Sequence, residues 1–122
     1  MSCKLYNVRI RVASRFWQRF KGLMFAAPLA ADQALLITPC ASVHTFFMRQ
    51  PIDLVYLDRN ARAVKLVEAV HPWRFSLGGR GAYQVLEMQS GTIARLAIKA
   101  GHSFAEDLAC AKVANVSKQK QT

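Results

Sequence analysis

The segment from Cys40 to Asp58, CASVHTFFMRQPIDLVYLD, constrains the fold of this chain more than any other stretch. It places His44 in an aromatic run and Asp53 in an apolar run, with a proline between them. A hydrophobic core alone would not require polar residues at these positions. Burial of a charged side chain is costly unless the charge is paired or hydrogen-bonded. The segment therefore predicts two neighbouring β-rich stretches that carry candidate polar residues.

Size and composition indicate one globular domain. The chain has 122 residues, of which 52% are hydrophobic and 20% charged, and a domain of this size buries about two-thirds of the surface of its unfolded chain. No stretch approaches the roughly 18 uninterrupted apolar residues of a membrane span. The first twelve residues alternate polar and apolar types, unlike a signal peptide, and the three cysteines lack close-pair spacing. These features predict a cytoplasmic protein with reduced thiols.

The positive charge is concentrated at the start of the chain. The formal net charge is +10. Six basic residues precede any carboxylate: Lys4, Arg9, Arg11, Arg15, Arg19 and Lys21. Such a face would attract polyanions through counterion release, but a solvated surface, or a cation that pairs with a buried carboxylate, explains the same residues. Nucleic acid binding is therefore expected to be weak and non-specific at most.

Alternation and β-rich composition predict most of the chain as strands. The predicted strands are residues 6–12, 34–37, 43–48, 52–57, 62–70 and 83–88, with a last short strand at 102–104. Residues 58–61 form a predicted turn, so that 52–70 is expected to be a β-hairpin.

Three helices are predicted around these strands. Ser14 can cap the first, which carries an apolar stripe and ends near Gly22. Ser90 can cap a second, which extends to about Lys99 and is followed by Gly101 in the left-handed C-terminal position. Residues 105–116 are compatible with a third helix, and the polar tail 117–122 is expected to be disordered.

Residues 71–81 contain a proline and three glycines and are predicted to form an exposed, mobile loop. This loop carries the contact candidates Trp73, Arg74 and Phe75. The two aromatic residues either line the lip of a binding site or pack under the loop and complete the core. The sequence leaves both alternatives open.

The fold class that follows is α+β, a compact β-rich single domain with a curved antiparallel sheet or partial barrel and two or three short helices. Residues 1–104 are expected to form this domain. Residues 105–122 are expected to form a C-terminal extension that is not a separate domain.

Asp53 and Glu87 are the two carboxylates in strongly apolar surroundings. A buried carboxylate requires a cation or hydrogen-bond donors, and Arg19 is the candidate partner of Asp53. The pair either fixes the first helix against the sheet or leaves Arg19 to grip an anionic ligand. Glu87 has two possible roles. It either caps the helix that follows Ser90 or pairs with a basic residue, or it joins Asp53 in a two-carboxylate site for acid and base catalysis.

His44 completes the set of ligand-binding candidates, which comprises Arg19, His44, Asp53 and Glu87. Cys40 lies four residues before His44, a spacing that could support nucleophilic chemistry but is equally that of an inert thiol. A zinc site needs three or four ligands, and no second Cys or His cluster is present. We therefore expect no metal and no cofactor.

Four ordered motifs resemble a known family: RFKGLMF at 19–25, HTFFMRQPIDLVYLD at 44–58, VLEMQSG at 85–91 and IKAGHSF at 98–104. They resemble the uncharacterised prokaryotic family called domain of unknown function 192. The resemblance implies a β-rich α+β domain with no settled activity. The residues that match the polar and glycine positions of the family pattern are Arg19, Gly22, Asp53, Asp58, Glu87, Gly91 and Gly101. Two positions depart from the family pattern, since Phe47 stands where many members have Trp and His102 where they have Asp.

These observations predict a small binding or accessory module with a polar site near Arg19, Asp53 and Glu87, acting on an unknown small ligand or protein partner. One alternative is a small acid/base enzyme that uses Asp53, Glu87 and His44. A second is a weak polyanion binder that uses the N-terminal basic face.

Overall fold

The structure is a computed structural model that describes residues 9–13, 30–45 and 50–110. Seven strands and a short helix follow one another along the chain. They are β1 (Arg9–Ala13), β2 (Gln33–Ile37), β3 (Ser42–His44), β4 (Ile52–Leu57), β5 (Ala63–Val70), β6 (Phe75–Leu77), β7 (Gln84–Gln89) and α1 (Thr92–Leu96). Residues 105–110 are also helical. The β-rich α+β fold predicted from the sequence is confirmed.

A five-stranded sheet with the order β1-β2-β7-β4-β5 forms the centre of the fold, and β3 and β6 form a separate antiparallel pair. The prediction of an antiparallel sheet is wrong for one strand pair, because β1 runs parallel to β2. A parallel pair needs a long crossover connection, and residues 14–29 provide that length. These residues, and with them the predicted first helix, lie outside the described residues.

The predicted hairpin at 52–70 is confirmed as the antiparallel pair β4–β5. Its turn is stabilised by Asp58, whose Oδ1 accepts hydrogen bonds from the amides of Asn60 at 2.8 Å and Arg62 at 2.9 Å. The pairing is interrupted by two β-bulges. The first places Glu68 and Ala69 opposite the single residue Asp53, an arrangement that bends and twists the longer strand.

Both faces of the sheet are covered, which explains why all six residues of β4 are buried. The helix-covered face packs Leu36, Val55 and Leu86 against Ile93 and Phe104, in a cluster that also contains Leu108 of the C-terminal helical segment. The opposite face, which we call the β3–β6 face, packs Leu35, Leu54, Tyr56 and Val85 with Val43 of β3.

The loop predicted at residues 71–81 contains a short strand that the sequence interpretation missed. Strand β6 pairs with β3 in the register Ser42–Leu77, Val43–Ser76 and His44–Phe75. The glycines that suggested an irregular segment all follow this strand, and Gly79 and Gly81 adopt φ angles of 80° and 85° there. The three glycines therefore mark the turn after β6, and Pro72 lies in the turn before it.

The second helix is shorter than predicted and begins differently. Gly91, at φ 94°, occupies the N-cap position in place of Ser90, and Ala97, at φ 54°, ends the helix well before Gly101. The last short strand predicted at residues 102–104 is absent. An isolated antiparallel β-bridge between Arg62 and Ser103 takes its place.

Candidate functional site

Asp53 is fully buried in the middle of the sheet and accepts three hydrogen bonds from backbone amides. Its Oδ1 accepts from Ala69 at 2.8 Å, and its Oδ2 accepts from Gly91 at 3.1 Å and Ile93 at 2.9 Å. Ala69 lies in the β-bulge of β5 at a φ of 52°, a conformation that non-glycine residues rarely adopt. The carboxylate therefore fastens the bulge of β5 to the first turn of α1.

These three amide donors stabilise the buried Asp53 carboxylate directly. Arg19, the partner predicted from the sequence, lies outside the described residues. The Arg19–Asp53 pair remains a prediction.

Glu87 is also buried, at 2% exposure, but in contrasting surroundings. It lies on β7 between Leu35 of β2 and Leu54 of β4, its direct neighbours across the sheet. Its Oε2 has no hydrogen-bond partner within the described part of the chain. Burial raises the pKa of Glu87 to about 8, because a low-dielectric environment disfavours the ionised form. The carboxyl group is therefore mainly protonated at neutral pH.

The structure does not bring Asp53 and Glu87 together. Asp53 is directly opposite Met88, whereas Glu87 is directly opposite Leu54, and directly opposed residues share one face of a sheet. Asp53 consequently points to the helix-covered face and Glu87 to the β3–β6 face. His44 lies in β3 opposite Phe75, and its side chain is outside the described part of the structure. Arg19 is likewise outside it, so only two of the four candidates can be placed, and they lie apart.

Tyr56 and Ser76 are polar residues of the β3–β6 face that the sequence interpretation missed. The Tyr56 hydroxyl is buried, donates to the Ser76 carbonyl oxygen at 3.0 Å and lies 2.9 Å from the Ser76 hydroxyl. Burial raises the pKa of Tyr56, the Ser76 hydrogen bond lowers it, and the nearby Cys40 and Glu87 raise it. Alternation would have predicted the reverse, because the polar Ser76 is buried whereas the apolar Phe75 and Leu77 are exposed.

Thr45 organises the chain that leads into β6. Its hydroxyl donates to the His71 carbonyl oxygen at 2.7 Å and accepts from the Arg74 amide at 2.9 Å. Its backbone pairs with Trp73 and Arg74 at 3.0 and 2.9 Å. Trp73 adopts a φ of 64° within this turn. The conformation of residues 71–74 is therefore fixed by hydrogen bonds to one threonine.

Three large apolar side chains are exposed along and beside β6. Trp73 is 56% exposed, Phe75 69% and Leu77 63%. Phe75 and Leu77 lie on the outer face of β6, because the intervening Ser76 points inward to Tyr56. We call Trp73, Phe75 and Leu77 the apolar strip. Two of its members were predicted from the sequence as contact candidates, and Leu77 was missed.

The surroundings of the apolar strip are cationic. The sequence has no carboxylate between Glu68 and Glu87. Arg74 and Arg80 are exposed, and the Lys65 ammonium group donates to the Leu77 carbonyl oxygen at 2.7 Å.

A separate, shallow apolar cleft lies on the helix-covered face. Ile10, Met88, Leu96 and Phe104 line it together with the carboxyl-bearing Asp107. Neither Asp53 nor Glu87 contributes to its wall. This cleft therefore does not bring the predicted site residues together.

The described residues contain no group of three or more His, Cys, Asp or Glu side chains arranged to hold a metal ion. The Cys40 thiol donates to the Ser42 carbonyl oxygen at 2.9 Å.

Across residues 9–13, 30–45 and 50–110, no helix has the length and apolar character needed to cross a bilayer.

The fold is that of a β-rich α+β domain whose two buried carboxylates lie on opposite faces of a mixed sheet. The chain belongs to the family described as Uncharacterized ACR, or DUF192, whose model matches residues 2–105. This match confirms the resemblance seen in the four motifs.

Two similar proteins carry the name UPF0127 protein. One, from Thermococcus sibiricus, is 37% identical over 74% of this chain and 60% of its own length. The other, from Pyrococcus furiosus, is 35% identical over 80% of this chain and 86% of its own length. The chain thus spans less than two-thirds of the first relative and most of the second.

Two solved structures share the fold, each with a TM-score of 0.69. A protein of unknown function from Novosphingobium aromaticivorans is 24% identical, over 77% of this chain and 71% of that one. A putative transcription regulator from Sinorhizobium meliloti is 21% identical, over 75% of this chain and 76% of that one. At these identities the likeness shows the fold alone.

Proposed function

We propose that this protein is a binding module and that the apolar strip is its contact surface. The observation that carries this proposal is the exposure of Trp73, Phe75 and Leu77, each more than half accessible to solvent within five residues. Adjacent exposed apolar side chains are typical of interaction sites. Aromatic residues in particular contribute large contact areas at low entropic cost.

The rigid attachment of β6 supports the same role. Ser76 binds Tyr56 on the inner side, and Thr45 holds the turn that contains Trp73. A contact surface on a fixed support loses less entropy when it binds. The strip is therefore preorganised for a partner.

The acid/base alternative receives no support from the geometry of the carboxylates. Asp53 uses both oxygens to hold backbone amides, and Glu87 lies on the other face of the sheet. General acid and base groups must both reach one substrate.

We place the protein in the cytoplasm. The three cysteines of the sequence lack the close-pair spacing of a disulfide framework, which suits a reducing compartment.

The binding role is tested by replacing strip residues and measuring stability and dye binding. Trp73→Ala and Phe75→Ala should change the free energy of unfolding by less than about 1 kcal/mol, because exposed side chains contribute little to stability. The same variants should lose the fluorescence that anilinonaphthalene sulfonate, an anionic apolar dye, shows with the parent protein.

Val64→Ala is the matched control, since Val64 is an exposed apolar residue on β5 outside the strip. It should retain the dye signal. A loss of several kcal/mol in the Trp73 and Phe75 variants would instead identify these residues as packing elements and end the binding proposal.

A further inference from the structure

We propose that the partner of the apolar strip is the surface of an anionic lipid bilayer. This inference rests on the binding role proposed above and specifies the partner. It depends on two features of the strip taken together, the type of its apolar side chains and the charge around them.

The side chains of the strip match the interfacial region of a bilayer. Trp73 combines a large apolar ring system with an N–H donor, and such residues favour the level of the lipid headgroups. Phe75 and Leu77 project from the same outer face of β6 and add purely apolar surface. Bases of a nucleic acid would stack on the two aromatic rings but not on Leu77, whereas acyl chains accept all three side chains.

The charge around the strip complements anionic headgroups. Arg74 lies between two strip residues, Arg80 follows in the next turn, and Lys65 is held at Leu77 by its hydrogen bond. The segment from Ala69 to Leu86, which contains the strip, has no carboxylate. Cations beside an inserted apolar group add to membrane binding, and apolar and electrostatic contributions together give stable attachment.

The inner side of β6 is attached to the protein core, so that the outer side chains of the strip can insert into a bilayer while β6 stays in place. Ser76 lies between the two outward residues of β6. It is buried and hydrogen-bonded to the Tyr56 hydroxyl. Alternate residues of β6 therefore face the protein core and the exterior. Insertion of the outer residues requires no loss of the inner contacts.

The experiment is sedimentation of the full chain with two kinds of vesicle, pure phosphatidylcholine and phosphatidylcholine mixed with phosphatidylglycerol. We expect binding to the anionic vesicles and little to the neutral ones. Phe75→Ala combined with Leu77→Ala should weaken anionic binding by about tenfold. Arg74→Gln and Arg80→Gln should each weaken it by about fivefold, and Val64→Ala should leave it unchanged.

Three results would overturn the proposal. Anionic binding that the Phe75/Leu77 variant retains would be general adsorption of a basic protein. Absence of vesicle binding, with dye binding and stability as described above, would refute the lipid partner and leave the binding module intact. Strip-dependent binding of a single-stranded oligonucleotide or an acidic peptide without vesicle binding would assign the strip to another partner.

Discussion

Glu87 is the residue whose protonation links the stability of this protein to pH. Its ordinary pKa of 4.5 is raised to about 8 by burial between two leucines. Below pH 4.5 the group is protonated in both the folded and the unfolded chain. Between pH 4.5 and about 8 the unfolded chain releases this proton while the folded chain keeps it, so that the folded state loses stability as the pH rises.

Glu87→Gln should remove this dependence, because the amide is close in shape to the protonated acid and does not ionise. The parent protein should lose up to about 1.4 kcal/mol per pH unit across that interval relative to the variant, with no further divergence above about pH 8. Chemical denaturation of both proteins from pH 4 to 9 measures the difference. Parallel curves throughout would show that Glu87 is ionised in the folded protein or is not buried.

At the scale of elements, Asp53 joins a β-bulge to the start of a helix that has no side-chain cap of its own. Asp53→Asn should cost about 3 kcal/mol, since the amide presents one acceptor oxygen where the carboxylate uses both, and buried amides lose their partners. Hydrogen exchange should accelerate at Ala69, Gly91 and Ile93.

Asp58→Asn is the control for this change. Both turn amides bind the same oxygen of Asp58, so that an asparagine can replace it with a loss below about 1 kcal/mol. Equal losses for the two variants would contradict the clamp assigned to Asp53.

The elements also show what the sequence could and could not predict. Strands β2, β4, β5 and β7 were predictable because alternation and apolar runs reflect burial directly. The start of α1 was not predictable, because its amides donate to the side chain of Asp53, which lies on a strand distant in sequence. Burial of Asp53 and Glu87 was likewise predictable, but their separation was not, since it depends on which residues the register places opposite one another.

At the scale of the whole molecule, the net positive charge predicts weak association with nucleic acid. Binding to duplexes of different sequence should be of similar strength and should fall steeply as salt increases, because it depends on counterion release. Titrations of labelled duplexes at two salt concentrations measure this. A preference for one sequence that survives physiological salt would reveal a recognition element.

The burial of Glu87 changes the electrical character of the molecule as well as its stability. The formal charge of +10 counts seven carboxylates as anions. With one of them held as a neutral acid, the folded chain at pH 7 carries nearly one more positive charge than its unfolded form. Native electrophoretic mobility should therefore exceed the value expected from composition, and Glu87→Gln should leave it almost unaltered.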